Sequence, residues 1–384
     1  MRLILVFGAV IAAAWLATFV SSAHATPCLM VTLTGTQGGP PAFKGLAGPG
    51  TLVRYGEDAN DCSALKLQFD SGRGTTMRLA ELGISPEQLN AVFFTHMHTD
   101  HTEGFADLVT LRWMFFGSGP KIDVICRSDV VSTLGFTISC QKFTAHVADS
   151  FIQSGEVAQR HSEIKERTAG GPADLINTIN FAAKDEPQTV WLSGDVKVSA
   201  IRSTHIAGHV SYRVDTPAGS VVIGGDAGND VPLPPRSSSA SEQVEKLAQG
   251  ADVIVHSTIH PIMGPEKASG FFPHAYFRQS NAFDLGALAK RAGVKYLMLT
   301  HLIPPLGAEK QGPFKIPGGP LTEADYRRAV EESGFAGRTT ISRPCVYRPI
   351  DQDLVMYQWV YVRDGSMVGD LKGTCELAEL WVHA

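Results

Sequence analysis

Three histidines and an aspartate fall within six positions of the stretch FFTHMHTDHTEG, at His96, His98, Asp100 and His101, directly after an apolar run. Imidazole and carboxylate are metal-ligating side chains. His96-Met97-His98 puts two imidazoles two residues apart, so both can reach one ion from an extended turn. Asp100-His101 can then reach a second ion. Two metals roughly 3.5–4 Å apart share one hydroxide and stabilise both the attacking and the leaving oxygen of a displacement. The donor types suit zinc, and iron or manganese would also fit. A structural zinc calls for a closed set of four ligands, usually with cysteines, whereas the nitrogen and oxygen donors spread along this chain point to an open, catalytic pair.

The elements that must position these groups follow one pattern. AVFFT ends at His96, AIRST at His205, VVIGG at Asp226, VIV at His256 and YLMLT at His301. Each apolar strand hands over to a metal-type ligand at its C-terminal end, the edge where α/β architectures build ligand sites. Alternation predicts further strands at 28–35, 51–56 and 64–70, and hairpins at 189–204 and 210–226. Helical spacing with a glycine stop marks RGTTMRLAELG and FDLGALAKRAG, Ser85-Pro86-Glu87 opens a short helix, and EGFADLVTLRWMFFG reads as a helix beginning beside the ligand cluster. KIDVIC (121–126) is a strand, but the rest of 118–190 reads as an inserted subdomain or lid. Two or three more strands, including LVMYQWVYV, fall in the C-terminal part.

The chain has 384 residues, is 44% hydrophobic and carries a formal net charge of −5, with no Lys/Arg block. General nucleic-acid binding is therefore not expected. Met1-Arg2, the apolar run Leu3–Val20 and Ala23-His24-Ala25 read as a secretory signal, with an uncleaved membrane anchor as the rival reading. Cleavage after Ala25 gives a periplasmic or secreted protein that is not held in the membrane. Six cysteines without a CxxC spacing read as disulfides in an exported chain. The sequential pairing, 28–62, 126–140 and 345–375, closes the shortest loops and is the expected one.

THMHTDH resembles the HxHxDH signature of the metallo-β-lactamase fold. The surrounding FDSGRGTTMRLAELGISPEQLNAVFFTHMHTDHTEGFADL, and later STHIAGHVSYRVDTPAGSVVIGGD, GADVIVH and LAKRAGVKYLMLTH, are similar to blocks of its ribonuclease Z and type III alkyl/arylsulfatase branch. The resemblance implies an α/β, four-layer αββα sandwich over residues 26–305, with a C-terminal extension (306–384) packing on the same domain. Carried over by position, it implies His96, His98 and His205 on one zinc and Asp100, His101 and His301 on a second, with Asp226 bridging. Asp70 would be the buried carboxylate under the site, with His256 also behind the ligands. His209 competes with His205, and Asp230 with Asp226. His205 is preferred because it ends a strand seven residues before Tyr212, and Asp226 because Gly224-Gly225 would let backbone approach a metal. Asp195 and Asp215 read as turn residues, His146 and His161 as solvated. Relatives are often dimers, so a homodimer is expected.

The departures bear on substrate. In the ribonuclease Z branch a glutamate follows the strand-end histidine, whereas here Ser257 follows His256. Gln279 stands where a histidine of that branch is expected, with His274 nearby. The proton relay is then missing or rebuilt from His260 or His274, with Asp100 as the catalytic carboxylate and His209 and Gln279 facing the substrate. The expected reaction is metal-assisted hydrolysis of a small-molecule ester, arylsulfatase-like first and phosphodiesterase second. A lactonase, a mononuclear-iron dioxygenase and a non-catalytic metal-binding module are weaker readings.

Overall fold

The computed structural model describes residues 26–341 and the backbone of two further strands, Trp359–Arg363 and Ser366–Asp370. The segment read as a signal and the expected 345–375 pairing lie outside the described residues. Two large sheets make the body of the molecule. The first has the strand order Ser366–Asp370, Trp359–Arg363, Pro27–Gly35, Gly50–Glu57, Leu65–Phe69, Ala91–Phe93, Ile122–Arg127 and Ile176–Phe181. The second runs Arg338–Ile341, Tyr296–Ile303, Val253–Ile259, Gly219–Ile223, Val210–Thr216, Val196–Arg202 and Gln188–Ser193. Each sheet is antiparallel toward one end and parallel toward the other.

The inner faces of the sheets meet through alternate residues, as a period-two pattern requires. Leu29, Val31, Phe69 and Phe93 of the first sheet pack on Val198, Tyr212, Val214 and Met298 of the second. Phe69 and Phe93 stack with ring centroids 4.6 Å apart, and the Tyr212 ring tilts against both. Outside the first sheet, Leu79 of helix Thr75–Glu81 and Leu108 and Val109 of helix Phe105–Phe116 cover Val92 and Val124. Outside the second, helices Glu242–Ala248, Ala282–Arg291 and Glu323–Glu331 cover Ile254 and Leu297. The layers are helix, sheet, sheet, helix, and near-continuous apolar runs such as YLMLT follow from strands covered on both faces. This is the expected αββα sandwich.

Three expectations change in detail. Residues 118–190 do not stand apart as a lid, because Ile122–Arg127 and Ile176–Phe181 pair in parallel inside the first sheet. Only the stretch between them leaves the sheet, as a short hairpin, three short α-helices and the 3-10 turn Pro172–Leu175. Ser85-Pro86-Glu87 opens only the single turn Pro86–Gln88. The strands through His256 and His301 also run on, to Ile259 and Ile303. The described part of the C-terminal extension contributes helix Glu323–Glu331 and an edge strand to the second sheet. Cysteines 28–62 and 126–140 are paired as expected. Among the described residues no helix is long and apolar enough to cross a membrane.

Two contacts latch the sheets beside the ligand turn. The buried Tyr212 hydroxyl donates to the Phe94 carbonyl at 2.8 Å, and the Val210 N–H donates to the Thr95 carbonyl at 2.9 Å. Tyr212→Phe is expected to lower stability by about 1–2 kcal/mol, because it leaves a buried carbonyl short of its donor. The urea midpoint measures this, and an unchanged midpoint would show that the latch carries no load.

Candidate metal centre

The strand Leu65–Phe69 ends at Asp70, a non-glycine residue at φ 56° whose carboxylate turns under the ligand loop. Asp70 Oδ1 accepts the Thr95 N–H at 2.8 Å, and Oδ2 accepts the Thr95 hydroxyl and the His101 Nδ1–H, both at 2.8 Å. These bonds hold the Thr95–His101 turn against the sheet and fix the tautomer of His101, leaving its Nε2 to face the site. His301 reaches the same place by another device. The parallel register slips there, from Ser257 opposite Thr300 to Thr258 opposite Leu302, and His301 sits at φ 46°. A bulge of this kind re-aims one side chain out of the ladder. Left-handed backbone at two non-glycine residues is sparsely populated, and here both instances serve one site.

Seven side chains converge in two groups: His96, His98, His205 and Asp226, then Asp100, His101 and His301. In the first, His98 Nδ1 lies 2.9 Å from His96 Nε2 and 3.3 Å from His205 Nε2, and His205 Nε2 lies 3.6 Å from Asp226 Oδ2. In the second, His301 Nε2 lies 3.2 Å from Asp100 Oδ2, and His101 Nε2 lies 3.8 Å from the same oxygen. Asp226 faces both groups, with Oδ2 at 3.3 Å from His301 and Oδ1 at 3.5 Å from His101. Ligands about 2.0–2.1 Å from a tetrahedral zinc stand about 3.3 Å from one another, which is the spacing found. His101 Nε2 and Asp226 Oδ1 are buried without a hydrogen-bond partner. Polar atoms buried without partners and aimed at shared points fit a divalent metal ion.

The electrostatics favour ligand-ready protonation on one side. Burial pushes His205 down to about 3, and burial together with neighbouring imidazoles pushes His96 well below its usual value. Burial lowers His98 as well. Burial would raise Asp100, but its bond to His301 and the charge of His101 outweigh this and hold it at about 2. His101 goes the other way: burial disfavours its charge, but Asp226 and Asp70 outweigh burial and raise it well above its usual value.

Several expected roles move. His209 is not a substrate contact: it is fully buried, its Nδ1 bonds Ser203 Oγ at 2.8 Å and its Nε2 accepts the Asp226 N–H at 3.1 Å. It therefore seats the Asp226 backbone. Gln279 is buried and gives its amide to Asp226 Oδ2 at 3.4 Å, so it supports that carboxylate rather than facing substrate. His260 caps the turn Pro261–Met263 with Nδ1 and packs edge-on against Tyr326, which leaves it outside the ligand cluster. His274 is exposed and stacks on Phe272. Among the described residues no hydrogen bond or ion pair joins either ring to the ligand groups. His256 lies behind the ligands, fully buried, with Nδ1 bonded to the Ser257 carbonyl at 2.6 Å.

Gly224 and Gly225 serve a different purpose from the expected one. A Cβ on Gly224 would strike the His256 ring at 2.1 Å, and one on Gly225, at φ 61°, would meet His209 Nε2 at 2.8 Å. They make room for rings rather than for a metal. Asp230 bonds the Thr204 hydroxyl and stays out of the cluster. His146 is exposed, as expected, but His161 is half-buried and bonds the Arg167 carbonyl at 2.8 Å. Sequence reasoning missed Arg278, whose carbonyl accepts from His205 Nδ1 at 3.2 Å. A cation beside Gln279, in the very place searched for a histidine, was the available signal.

A family model described as anti-Pycsar protein Apyc1 matches residues 61–261. Ribonuclease Z from Mycobacterium sp. (strain KMS) is 28% identical over 298 residues, 77% of this chain and 88% of the relative. The metallo-β-lactamase-fold protein YhfI from Bacillus subtilis superposes with a TM-score of 0.52 at 17% identity, over 83% of this chain and 97% of its own. Unliganded yeast PDE1 does so with a TM-score of 0.52 at 12% identity, over 84% and 98%. The resemblance drawn from THMHTDH and its flanking blocks therefore holds for fold and branch.

Two predictions follow from the ligand geometry. Removing the carboxylate in Asp70→Ala is expected to weaken metal binding about 10–100-fold, measured by competition with a chromogenic chelator. The second concerns protons. Near pH 7 the metal-free His101 holds the proton that a metal must displace, while His96, His98 and His205 are already neutral. Metal loading should release protons, that of His101 among them, and affinity should rise with pH until His101 deprotonates unaided. Calorimetry in two buffers of different ionisation enthalpy reads the number released; a release of zero would contradict the charge state assigned to His101.

Proposed function

We propose that this chain, which belongs to the family described as anti-Pycsar protein Apyc1 and to the ribonuclease Z-like branch of the metallo-β-lactamase superfamily, is an exported dinuclear-zinc phosphodiesterase of small molecules. At the coarser level it is a metal-dependent hydrolase acting on ester bonds. The observation that carries the finer reading is the donor set: four groups around one point, three around a second, and Asp226 facing both. Five imidazoles with two carboxylates make a nitrogen-rich set of the kind zinc favours. The two disulfides of the described residues support an oxidising compartment. Sulfate esters ranked first on sequence grounds, but ribonucleases cut phosphodiester bonds, so the ribonuclease Z relatives favour the diester reading.

His96, His98, His205 and Asp226 would hold one ion and Asp100, His101 and His301 the other, with Asp226 reaching both. Bound there, divalent ions supply Lewis acidity and the means to ionise water near neutral pH. The chain's own residues keep this arrangement rigid. Asp70 fixes the His101 ring, the Arg278 carbonyl fixes the His205 ring, and His209 and Gln279 fix Asp226 at its backbone and its carboxylate. Asp100, held ionised by His301 and His101, acts as a ligand and charge partner rather than as a proton donor.

Zinc-loaded protein from residue 26 onward should turn over bis(4-nitrophenyl) phosphate faster than 4-nitrophenyl sulfate. His98→Ala should lower the diester activity by at least about 100-fold. A preference for the sulfate would restore the arylsulfatase reading.

A further inference from the structure

The segment Arg278–Ser280 is fastened to the metal centre at every residue. The Arg278 carbonyl accepts from His205 Nδ1 at 3.2 Å, Gln279 donates to Asp226 Oδ2 at 3.4 Å, and the Ser280 hydroxyl donates to the Ala227 carbonyl at 2.6 Å. Gly228 permits this approach, since a Cβ there would come within 2.6 Å of the Arg278 carbonyl oxygen. The Arg278 side chain therefore springs from a backbone held against the ligands themselves.

Its guanidinium differs from most described arginines in its setting. The Nε of Arg54 and of Arg112 is also buried without a partner, but Arg54 bonds Met30 and the terminal nitrogens of Arg112 go to the Pro86, Leu89 and Pro120 carbonyls, while all three guanidinium nitrogens of Arg167 go to main-chain carbonyls. Arg73, Arg78, Arg160, Arg213, Arg291 and Arg327 pair with carboxylates. Arg278 is half-buried, and its Nε is shielded from water with no hydrogen-bond partner among the described residues. Its charge nevertheless acts on members of both ligand groups, on Asp100 and Asp226 and on His98 and His205. A shielded N–H without an acceptor is costly unless a ligand supplies one.

The chemistry beside it narrows what that ligand is. His260 is engaged with its own turn and Gln279 with Asp226, whereas Arg278, fastened to the ligands through its backbone, is a cation that does not give up its proton. A planar guanidinium matches two oxygens of a phosphoryl group and offers little to an uncharged ester. We propose that Arg278 is the phosphoryl-binding residue of this enzyme. It donates to a non-bridging oxygen of the substrate and offsets the charge that develops there, so that the site selects esters already negative at the reacting centre over phosphotriesters, lactones and carboxylic esters. This rests on the ester-hydrolase reading above and deepens it by naming the charge class of the substrate.

The test uses the metal-loaded protein from residue 26 onward, the variants Arg278→Met and Arg278→Lys, and metal content and melting temperature as controls on the fold. Turnover of bis(4-nitrophenyl) phosphate is compared with that of the neutral diethyl 4-nitrophenyl phosphate, and inorganic phosphate is titrated as an inhibitor. Arg278→Met should lower kcat/KM for the diester on the order of 10²-fold, the usual cost of losing one donor to a developing charge. The ratio of diester to triester kcat/KM should fall by at least about 30-fold, phosphate inhibition should weaken by about 10-fold or more, and Arg278→Lys should recover part of each. A ratio that moves less than about 3-fold, or phosphate inhibition that does not change, overturns the assignment. If the wild type prefers an aryl sulfate, the phosphodiester reading fails, yet the phosphate titration still decides the role of Arg278. Should Arg278→Met not fold, the Lys variant and phosphate titration decide alone.

Discussion

The Asp70 carboxylate, 4% exposed, accepts three hydrogen bonds from the loop that carries four of the seven metal-type donors. A buried carboxylate is tolerated only when such bonds replace its hydration. The requirement works in both directions. Thr95 and His101 satisfy Asp70, and Asp70 dictates where Thr95 and His101 stand. Because its backbone sits at φ 56° at a strand end, the carboxylate turns toward the seam rather than into the core between the sheets. The orientation of His101, the path of the chain from His96 to Asp100 and the charge state of the second ligand group all follow from it.

The opposite wall is built by smaller adjustments that reach the same precision. A one-residue slip in the ladder turns His301 toward Asp100 and Asp226, and two glycines clear space for the His256 and His209 rings. Buried imidazoles this close would be unfavourable as a cluster of cations, and burial keeps three of them neutral. His101 goes the other way, as the ring flanked by Asp226 and Asp70. Charge in the centre is thus placed by neighbours, not by residue type.

Much of this was legible in the sequence because it depends on local pattern. An apolar run followed by a ligand-type residue marked His96, His205, Asp226 and His301, and alternation marked the strands that bring them together. What escaped notice depends on contacts between distant segments. Nothing in HVSYRV tells that both His209 nitrogens are taken by Ser203 and the Asp226 backbone. The strand at 121–126 was visible, but the parallel pairing of Ile176–Phe181 beside it, some fifty residues on, was not, so a sheet edge read as part of a lid. Arg278 is not legible from the branch pattern, which calls for a histidine, a group that shuttles protons, where the fold presents a fixed charge.

The two ligand groups draw on both halves of the sandwich. His96, His98, Asp100 and His101 follow a strand of the first sheet, whereas His205, Asp226 and His301 belong to the second. Any ion shared between them is a cross-link between the layers, added at the seam where Tyr212 and Val210 already bridge them. By linkage, a ligand held only by the assembled form stabilises it by about 4 kcal/mol when present at 1,000 times its dissociation constant. Metal supply then governs persistence as well as turnover: a chain starved of its ions would lose a rivet between its layers as well as a catalyst.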